Sequence, residues 1–161
     1  MRGLPNSSER KRIGDGFRRH PPYGGGMQDY RKLLVWEKAH AVASMVHQLS
    51  TEIPRHGNSG LIGQMRRAAL SIPANIAEGS SRPSRKDFAK FIQIAIGSAS
   101  ELEYHLQFAL TTDQIRADRH AAVQPKIVEV RRMLFGLLKR LRTADSFPTP
   151  NPPSSPLKPD D

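Results

Sequence analysis

The sharpest enzymatic pattern in the sequence is a pair of metal-ligand residue types one helical turn apart, Glu37 and His40. Four-helix bundles bind two metal ions through a Glu-x-x-His unit from each of two helices and a single Glu from each of the other two. The sequence contains one such unit, Glu37-Lys-Ala-His40, and no second one, and Glu101 and His105 are four residues apart. We therefore expect no metal, and interpret Glu37 and His40 as edge or surface residues of a helix.

Other catalytic patterns are absent from the sequence. The chain has no cysteine, which excludes disulfides, thiol catalysis, iron–sulfur clusters and cysteine-ligated zinc. Among the six histidines, His40 and His47 are spaced to share a helix face, which is more typical of packing or surface than of ligation. No nucleophile elbow, phosphate-binding glycine loop or zinc helix signature occurs. We expect a protein that is not an enzyme and uses no cofactor.

The chain is strongly basic. Its 161 residues include 25 Lys and Arg against 15 Asp and Glu, a net charge of +10. Residues 1–28 contribute +4, residues 143–161 contribute −2 and residues 29–142 contribute +8. The excess therefore belongs to the region expected to fold, and a surface of this kind favours polyanions such as nucleic acid.

Two groups of cations lie at predicted helix ends. One surrounds the start of the third helix, residues 82–90, and the other lies at the end of the fourth, residues 139–142, where cations also suit the helix dipole. Few aromatic side chains interleave with the cations, so the sequence predicts contact with the phosphate backbone without sequence readout. We assign a nucleic-acid-binding role to Lys38, Arg66, Arg67, Arg82, Arg85, Lys86, Lys90, Arg131, Arg132, Lys139, Arg140 and Arg142.

Apolar residues recur with a helical period in four segments, and no alternating strand pattern occurs. The sequence predicts an all-α protein, an antiparallel up-down-up-down four-helix bundle within residues 29–142. The predicted helices are Asp29 to about Ile53, Asn58 or Ser59 to Gly79, Arg85 to Leu110, and Arg119 to Arg142, with Ser84 capping the third and Pro125 in the first turn of the fourth if that helix starts later. The predicted core residues are Val35, Ala39, Val42, Val46, Leu49 and Ile53; Leu61 or Ile62, Met65, Ala69, Ile72 and Ile76; Phe88, Phe91 or Ile92, Ala95, Ala99, Leu102, Leu106 and Ala109; and Val123, Ile127, Val130, Leu134, Leu137 or Leu138, and Leu141.

A polar motif lies within the second helix. Ser71 and Asn75 flank Pro73, which should kink the helix or loosen a turn and which frees a carbonyl for a nearby hydroxyl or amide. In the third helix, Gly97 to Ser100 are small, and the propensity cost of Gly97, ~1 kcal/mol, indicates close approach of a neighbouring backbone. We interpret both features as structural, with a polar functional site as the alternative for the first.

Both ends of the chain have compositions typical of disordered tails. Residues 1–28 are basic and contain many glycines and prolines, without the apolar stretch of a secretory signal. Residues 143–161 are proline-rich, which predicts polyproline II character and leaves a proline-rich ligand role as an alternative. Because periodic sequence begins directly after Met27, we expect residues 1–26 to be an upstream extension of the natural start.

Three ordered blocks of the sequence resemble a known family. The blocks are Leu34–His40 (LVWEKAH), Gln64–Gly79 (QMRRAALSIPANIAEG) and Phe88–Glu103 (FxxFIxIAxGSxxELE). They resemble the four-helix-bundle proteins encoded in 23S rRNA intervening sequences, over about residues 29–142, although relatives often carry a larger apolar residue at 99–100. As structural-motif residues within these blocks we single out Trp36, Ser71, Pro73, Asn75, Glu78, Gly79, Gly97, Ser98 and Glu101.

The resemblance implies a small bundle that assembles into a ring, typically a homopentamer, with a basic surface and no known catalytic residue. The sequence also resembles the accessory bundle protein of diversity-generating retroelements, which binds nucleic acid and works with a reverse transcriptase. We therefore expect a cytoplasmic bacterial protein that binds RNA or DNA as an oligomer. The alternative is a scaffold ring that docks a partner enzyme such as a reverse transcriptase. No membrane association is expected, because no run approaches the ~18–20 apolar residues of a membrane span.

Overall fold

The structure is a computed structural model that describes residues 29–54 and 56–143, so the predicted tails 1–28 and 144–161 lie outside the described residues. Within the described residues the chain forms four α-helices and no strand, after a short 3-10 turn at Tyr30–Lys32. The four helices are α1 (Leu34–Glu52), α2 (Ser59–Ser80), α3 (Arg85–Thr111) and α4 (Ala117–Thr143). The prediction of an all-α, four-helix protein is confirmed.

Side-chain caps fix where two of these elements begin. The Ser84 hydroxyl accepts a hydrogen bond from the Asp87 backbone N–H at 3.0 Å, which is the predicted cap of α3. The prediction that the first helix begins at Asp29 is wrong. The Asp29 carboxylate instead accepts from the Arg31 N–H at 3.1 Å and stabilises the 3-10 turn, and Leu33, with extended backbone angles, separates that turn from α1.

Two prolines lie inside helices. Pro73 is buried, and α2 continues through it from Ser59 to Ser80. Pro125 lies in the interior of α4 and not in its first turn, because the helix begins at Ala117, before the predicted start and not after it. Because proline has no N–H group, the Ala121 carbonyl lacks the hydrogen bond that residue 125 would otherwise donate. Both Ala121 and Pro125 are exposed, so water can donate a hydrogen bond to that carbonyl.

The core is built from the predicted stripes. Every residue predicted without an alternative is buried except Leu141, which is half-buried. Where the sequence left two choices, the core takes Ile62, Ile92 and Leu138, while Leu61, Phe91 and Leu137 are half-buried. The 3.5-residue period therefore predicted the inward face of all four helices.

Two ion pairs between α1 and α4 give the relative direction of these helices. Lys38 of α1 pairs with Glu129 of α4 at 3.2 Å, and Arg119, near the start of α4, pairs with Glu52, at the end of α1, at 2.9 Å. Contacts of this order are made by antiparallel helices. Each helix packs on the helices before and after it, and α1 also packs on α4, so the four helices surround one core.

Gly79 lies where α2 and α3 are packed closely. A Cβ atom placed on Gly79 would lie 2.6 Å from Phe88 Cδ2 and 2.7 Å from Phe91 Cβ. A Cβ placed on Gly97 would meet no heavy atom within 4 Å of the described chain. The close packing predicted at Gly97 is therefore wrong for the described residues, and the glycine that packing requires is Gly79.

We expect Gly79→Ala to lower the free energy of unfolding by about 1–3 kcal/mol, because Phe91 Cβ is fixed to the α3 backbone and cannot move aside alone. Gly136→Ala is the matched control: this glycine is exposed in α4, and its added methyl group enters open space. The control should raise the free energy of unfolding by about 1 kcal/mol through helix propensity. Urea unfolding followed by circular dichroism measures both, and equal effects would contradict the close approach at Gly79.

Candidate nucleic-acid interface

The two cation groups that are distant in sequence meet at one end of the bundle. A shallow groove between the start of α3 and the end of α4 is lined by Lys86, Lys90 and Arg142 among others. A second groove between the start of α1 and the end of α4 includes Lys32 and Arg140. Alternating helix direction brings these segments together, and we call residues 29–38, 76–90 and 136–143 the basic end.

The basic end differs sharply in charge from the opposite end. It contains ten Lys and Arg residues and four Asp and Glu residues. The opposite end, residues 48–54, 56–64 and 106–122, contains two Lys and Arg residues and three Asp and Glu residues. Within the described chain, the basic-end cations that make no ion pair are Arg31, Lys32, Arg85, Lys86, Lys139, Arg140 and Arg142. No carboxylate of the described residues neutralises their positive charge.

The remaining basic-end cations have structural partners. Lys38 pairs with Glu129 as described above, and Lys90 Nζ lies 2.9 Å from Asp87 Oδ1. Arg82 pairs with Glu78 and also lies over the Phe91 ring, 4.6 Å from its centroid. Lys38 therefore joins α1 to α4, Lys90 pairs within α3, and Arg82 links the end of α2 to α3.

Two of the predicted binding cations away from the basic end are also engaged by protein groups. Arg131 Nη1 lies 2.7 Å from Glu103 Oε2, and Gln124 Nε2 donates to the other oxygen of that carboxylate at 2.8 Å. Arg66 Nε donates to the hydroxyl of Ser50 at 2.7 Å. The other two predicted binding cations away from the basic end, Arg67 and Arg132, are exposed and make no ion pair among the described residues.

The polar motif around Pro73 forms a contact between α2 and α3. Asn75 Nδ2 donates to the Ser71 carbonyl at 2.8 Å and to the Ser71 hydroxyl at 2.9 Å. The Ser98 hydroxyl of α3 donates to the same Ser71 hydroxyl at 2.9 Å. Asn75 therefore bonds Ser71, and not the Ala69 carbonyl that Pro73 leaves without a helical donor.

The other structural-motif residues do not converge on this contact. The Trp36 ring stacks on the His40 ring, with centroids 5.2 Å apart, and Glu101 Oε1 lies 3.5 Å from His105 Nε2 on the exposed side of α3. Glu78 and Gly79 lie at the end of α2, beside Arg82 and Phe88. The sequence motif is thus distributed over several contacts between and within helices.

The described residues offer no metal centre. Neither Glu37 with His40 nor Glu101 with His105 is joined by further ligands, and no group of three or more His, Asp or Glu side chains in 29–54 and 56–143 is arranged to hold an ion. Within the same residues, no helix has the length and apolar character needed to cross a bilayer.

The fold and surface define a four-helix bundle with one strongly basic end. A family model described as 23S rRNA-intervening sequence protein matches residues 31–136, and the chain belongs to that family. A solved structure of a protein with unknown function from the S23 ribosomal protein family of Bacteroides thetaiotaomicron VPI-5482 is 26% identical, with a TM-score of 0.60. That match covers 66% of this chain and 99% of the other. No curated protein matches the chain. The family resemblance inferred from the three sequence blocks is confirmed.

Asp87 offers a test of the basic-end geometry. A hydrogen bond from Lys90, a second from the Ser84 hydroxyl and the Lys90 charge lower the pKa of Asp87 below 3.8. The carboxylate therefore adds stability above its unfolded pKa, which is lost as pH falls through the folded pKa. Lys90→Gln should raise the pKa of Asp87 towards 3.8 in a carboxyl ¹³C NMR titration, whereas Lys86→Gln should change it much less. An unchanged pKa in Lys90→Gln would show that the pair does not form.

Proposed function

We propose that this protein is a non-enzymatic, oligomeric bundle that binds RNA or DNA through its basic end without reading sequence. The observation that carries the proposal is the convergence of three cationic segments at one end, where seven cations have no ion-pair partner among the described residues. Phosphate contacts from Lys and Arg supply affinity that does not depend on sequence.

The position of the chain ends supports this proposal. The described chain begins at Asp29 and ends at Thr143, both at the basic end. By sequence, residues 1–28 carry +4 and residues 143–161 carry −2, which together add a net charge of +2. Five copies of residues 29–142 would carry about +40, a charge that opposes assembly unless counterions or a polyanion screen it. A bound nucleic acid would pair with the cations of the basic end and would also screen the charge that opposes assembly.

The side chains of the basic end favour backbone contact over base stacking. Its aromatic residues, Tyr30, Trp36 and Phe88, are half-buried or buried, so no exposed ring accompanies the cations in this part of the described chain. Proteins that stack bases place exposed aromatic rings along a cationic groove. The basic end is therefore suited to phosphates.

Binding is expected to be weak and strongly dependent on salt. For single-stranded RNA, the log of the affinity should fall with log salt at a slope of about −0.7 per phosphate contacted. Lys86→Gln with Arg142→Gln should reduce the steepness of that slope by about 1.4, because two contacts are lost. Filter binding over a series of salt concentrations measures the slope.

The control for this experiment removes the same charge elsewhere. Arg116→Gln with Lys126→Gln changes two exposed cations outside the basic end, and its slope should stay close to that of the unsubstituted protein. A flat salt response, or an equal change in both double variants, would contradict binding through the basic end.

The oligomeric part of the proposal rests on the outer face of α3. Ile94, Tyr104 and Phe108 are 51%, 64% and 45% exposed. Ile94 and Phe108 are two heptads apart, and Tyr104 lies on the side of α3 opposite the buried Leu102. We infer that a second copy of this chain covers this face, in keeping with the ring that the family resemblance implies.

Light scattering coupled to size-exclusion chromatography tests this face. Tyr104→Glu with Phe108→Glu should convert an oligomer into a monomer of 18.0 kDa, because two charges would be buried without partners. Leu34→Glu with Phe135→Glu changes exposed apolar residues on α1 and α4 and should leave the oligomer intact. An unsubstituted protein that is already monomeric would rule out self-association.

The same exposed face supports a second candidate function, a scaffold that docks a partner enzyme. Affinity capture from lysate with and without nuclease separates the two candidates. A protein that stays bound after nuclease treatment favours the scaffold, whereas a protein that is released favours association through nucleic acid.

A further inference from the structure

A groove of about 280 Å³ lies between α1 and α2, outside the basic end. Its lining residues are His40, Ala43, Ser44, His47, Gln48, Arg66 and Leu70. Ala43 and Leu70 supply apolar surface, and Leu70 is 61% exposed although it is a large aliphatic residue. Ligand sites are typically 300–1,000 Å³, so this groove lies near the lower end of that range and has room for one small ligand but not for a large one.

Arg66 is held in place at one side of this groove. Its Nε–H donates to the Ser50 hydroxyl at 2.7 Å, and that hydroxyl, which is buried, donates to the His47 carbonyl at 2.6 Å. No carboxylate of the described residues pairs with Arg66. Anchoring through Nε leaves both Nη groups available, in the planar arrangement that binds phosphate oxygens in pairs.

The His40 ring is held at the other side of the groove. It stacks on Trp36, with ring centroids 5.2 Å apart and planes within 13° of parallel. Leu70 lies one helical turn along α2 from Arg66, about 6 Å further towards His40. The groove therefore presents a cation and the His47 ring at one end, and a fixed aromatic face with an aliphatic side chain at the other.

We propose that this groove binds one unpaired nucleotide of a single strand, with its phosphate on Arg66 and its base against His40 and Leu70. Histidine rings are among the side chains on which splayed-out RNA bases stack. This groove has an exposed ring, His40, whereas the aromatic rings of the basic end are half-buried or buried. The inference rests on the proposed nucleic-acid function and adds a nucleotide subsite to it.

Trp36 provides a direct signal for binding at this subsite. It is the chain's single tryptophan, and it contacts the ring that the base would cover. Titration of the full chain with a ten-residue oligouridylate should change Trp36 fluorescence in a saturable way. A duplex of the same length, whose bases are stacked and paired, should bind at the basic end. Because Trp36 itself belongs to the basic end, the signal assigned to the subsite is the part of the fluorescence change that the duplex does not produce and that His40→Ala abolishes.

Variants in and beside the groove complete the test. Arg66→Gln should weaken oligouridylate binding about tenfold through loss of charge-assisted hydrogen bonds, and His40→Ala about fivefold or more through loss of stacking. Arg67→Gln removes the same charge from the next residue, which does not line the groove, and should weaken binding less than twofold. His40 is exposed and does not contact Ser50, so its variant tests the site even where Arg66→Gln unfolds the chain.

The outcomes distinguish the subsite from the function on which it rests. Selective loss in Arg66→Gln and His40→Ala, with duplex binding unchanged, supports the subsite. If all three variants bound oligouridylate with equal affinity and Trp36 fluorescence did not change, the subsite would be overturned. Duplex binding in the same experiment would still support binding through the basic end. Absence of binding to both the strand and the duplex would overturn the proposed function together with the subsite.

Discussion

The burial of four apolar stripes against one another is the constraint on which this molecule depends. Val46, Met65, Leu102 and Leu134, one from each of the four helices, are fully buried, and each helix exposes polar residues elsewhere. Helices linked by short connections bury such stripes by packing antiparallel, so the starts of α1 and α3 lie beside the ends of α2 and α4. The charge asymmetry of the molecule follows from this packing, because cations from three chain segments that are far apart in sequence come to one end.

Local rules predicted most of the fold, and tertiary packing decided where they failed. The 3.5-residue period identified the inward faces, and the Ser84 cap follows from its side chain. The start of α1 could not be read from that period, because the apolar pattern does not distinguish an α-helix at Asp29 from a 3-10 turn that the Asp29 carboxylate stabilises. The choice between Gly79 and Gly97 as the packing glycine depends on how closely two helices approach, which composition does not encode.

The candidate binding surfaces were predictable only in part, for the same reason. Sequence identified the cations, but their partners lie on other helices. Arg131 and Arg66 were indistinguishable from Arg132 and Arg67 in the sequence, yet the first two bond Glu103 and Ser50 across helix boundaries. The groove between α1 and α2 was missed, because it requires the register that places Leu70 and Arg66 beside His40 and His47. Spacing of the two histidines was the one signal available, and it indicated only a shared face.

Asp29 and Thr143 share one end of the bundle, so the molecule has two poles that differ in charge and in the positions of the described chain ends. A domain fused directly at Asp29 and another fused directly at Thr143 would lie on the same side, next to each other and to the cations. The far pole is free of such attachments, and the connection at Thr112–Asp113 is exposed there, in a turn where Asp113 has a φ of 55°. Exposed loop tips tolerate insertions well, so this turn is the natural place to graft a reporter or crosslinking peptide without crowding the charged pole.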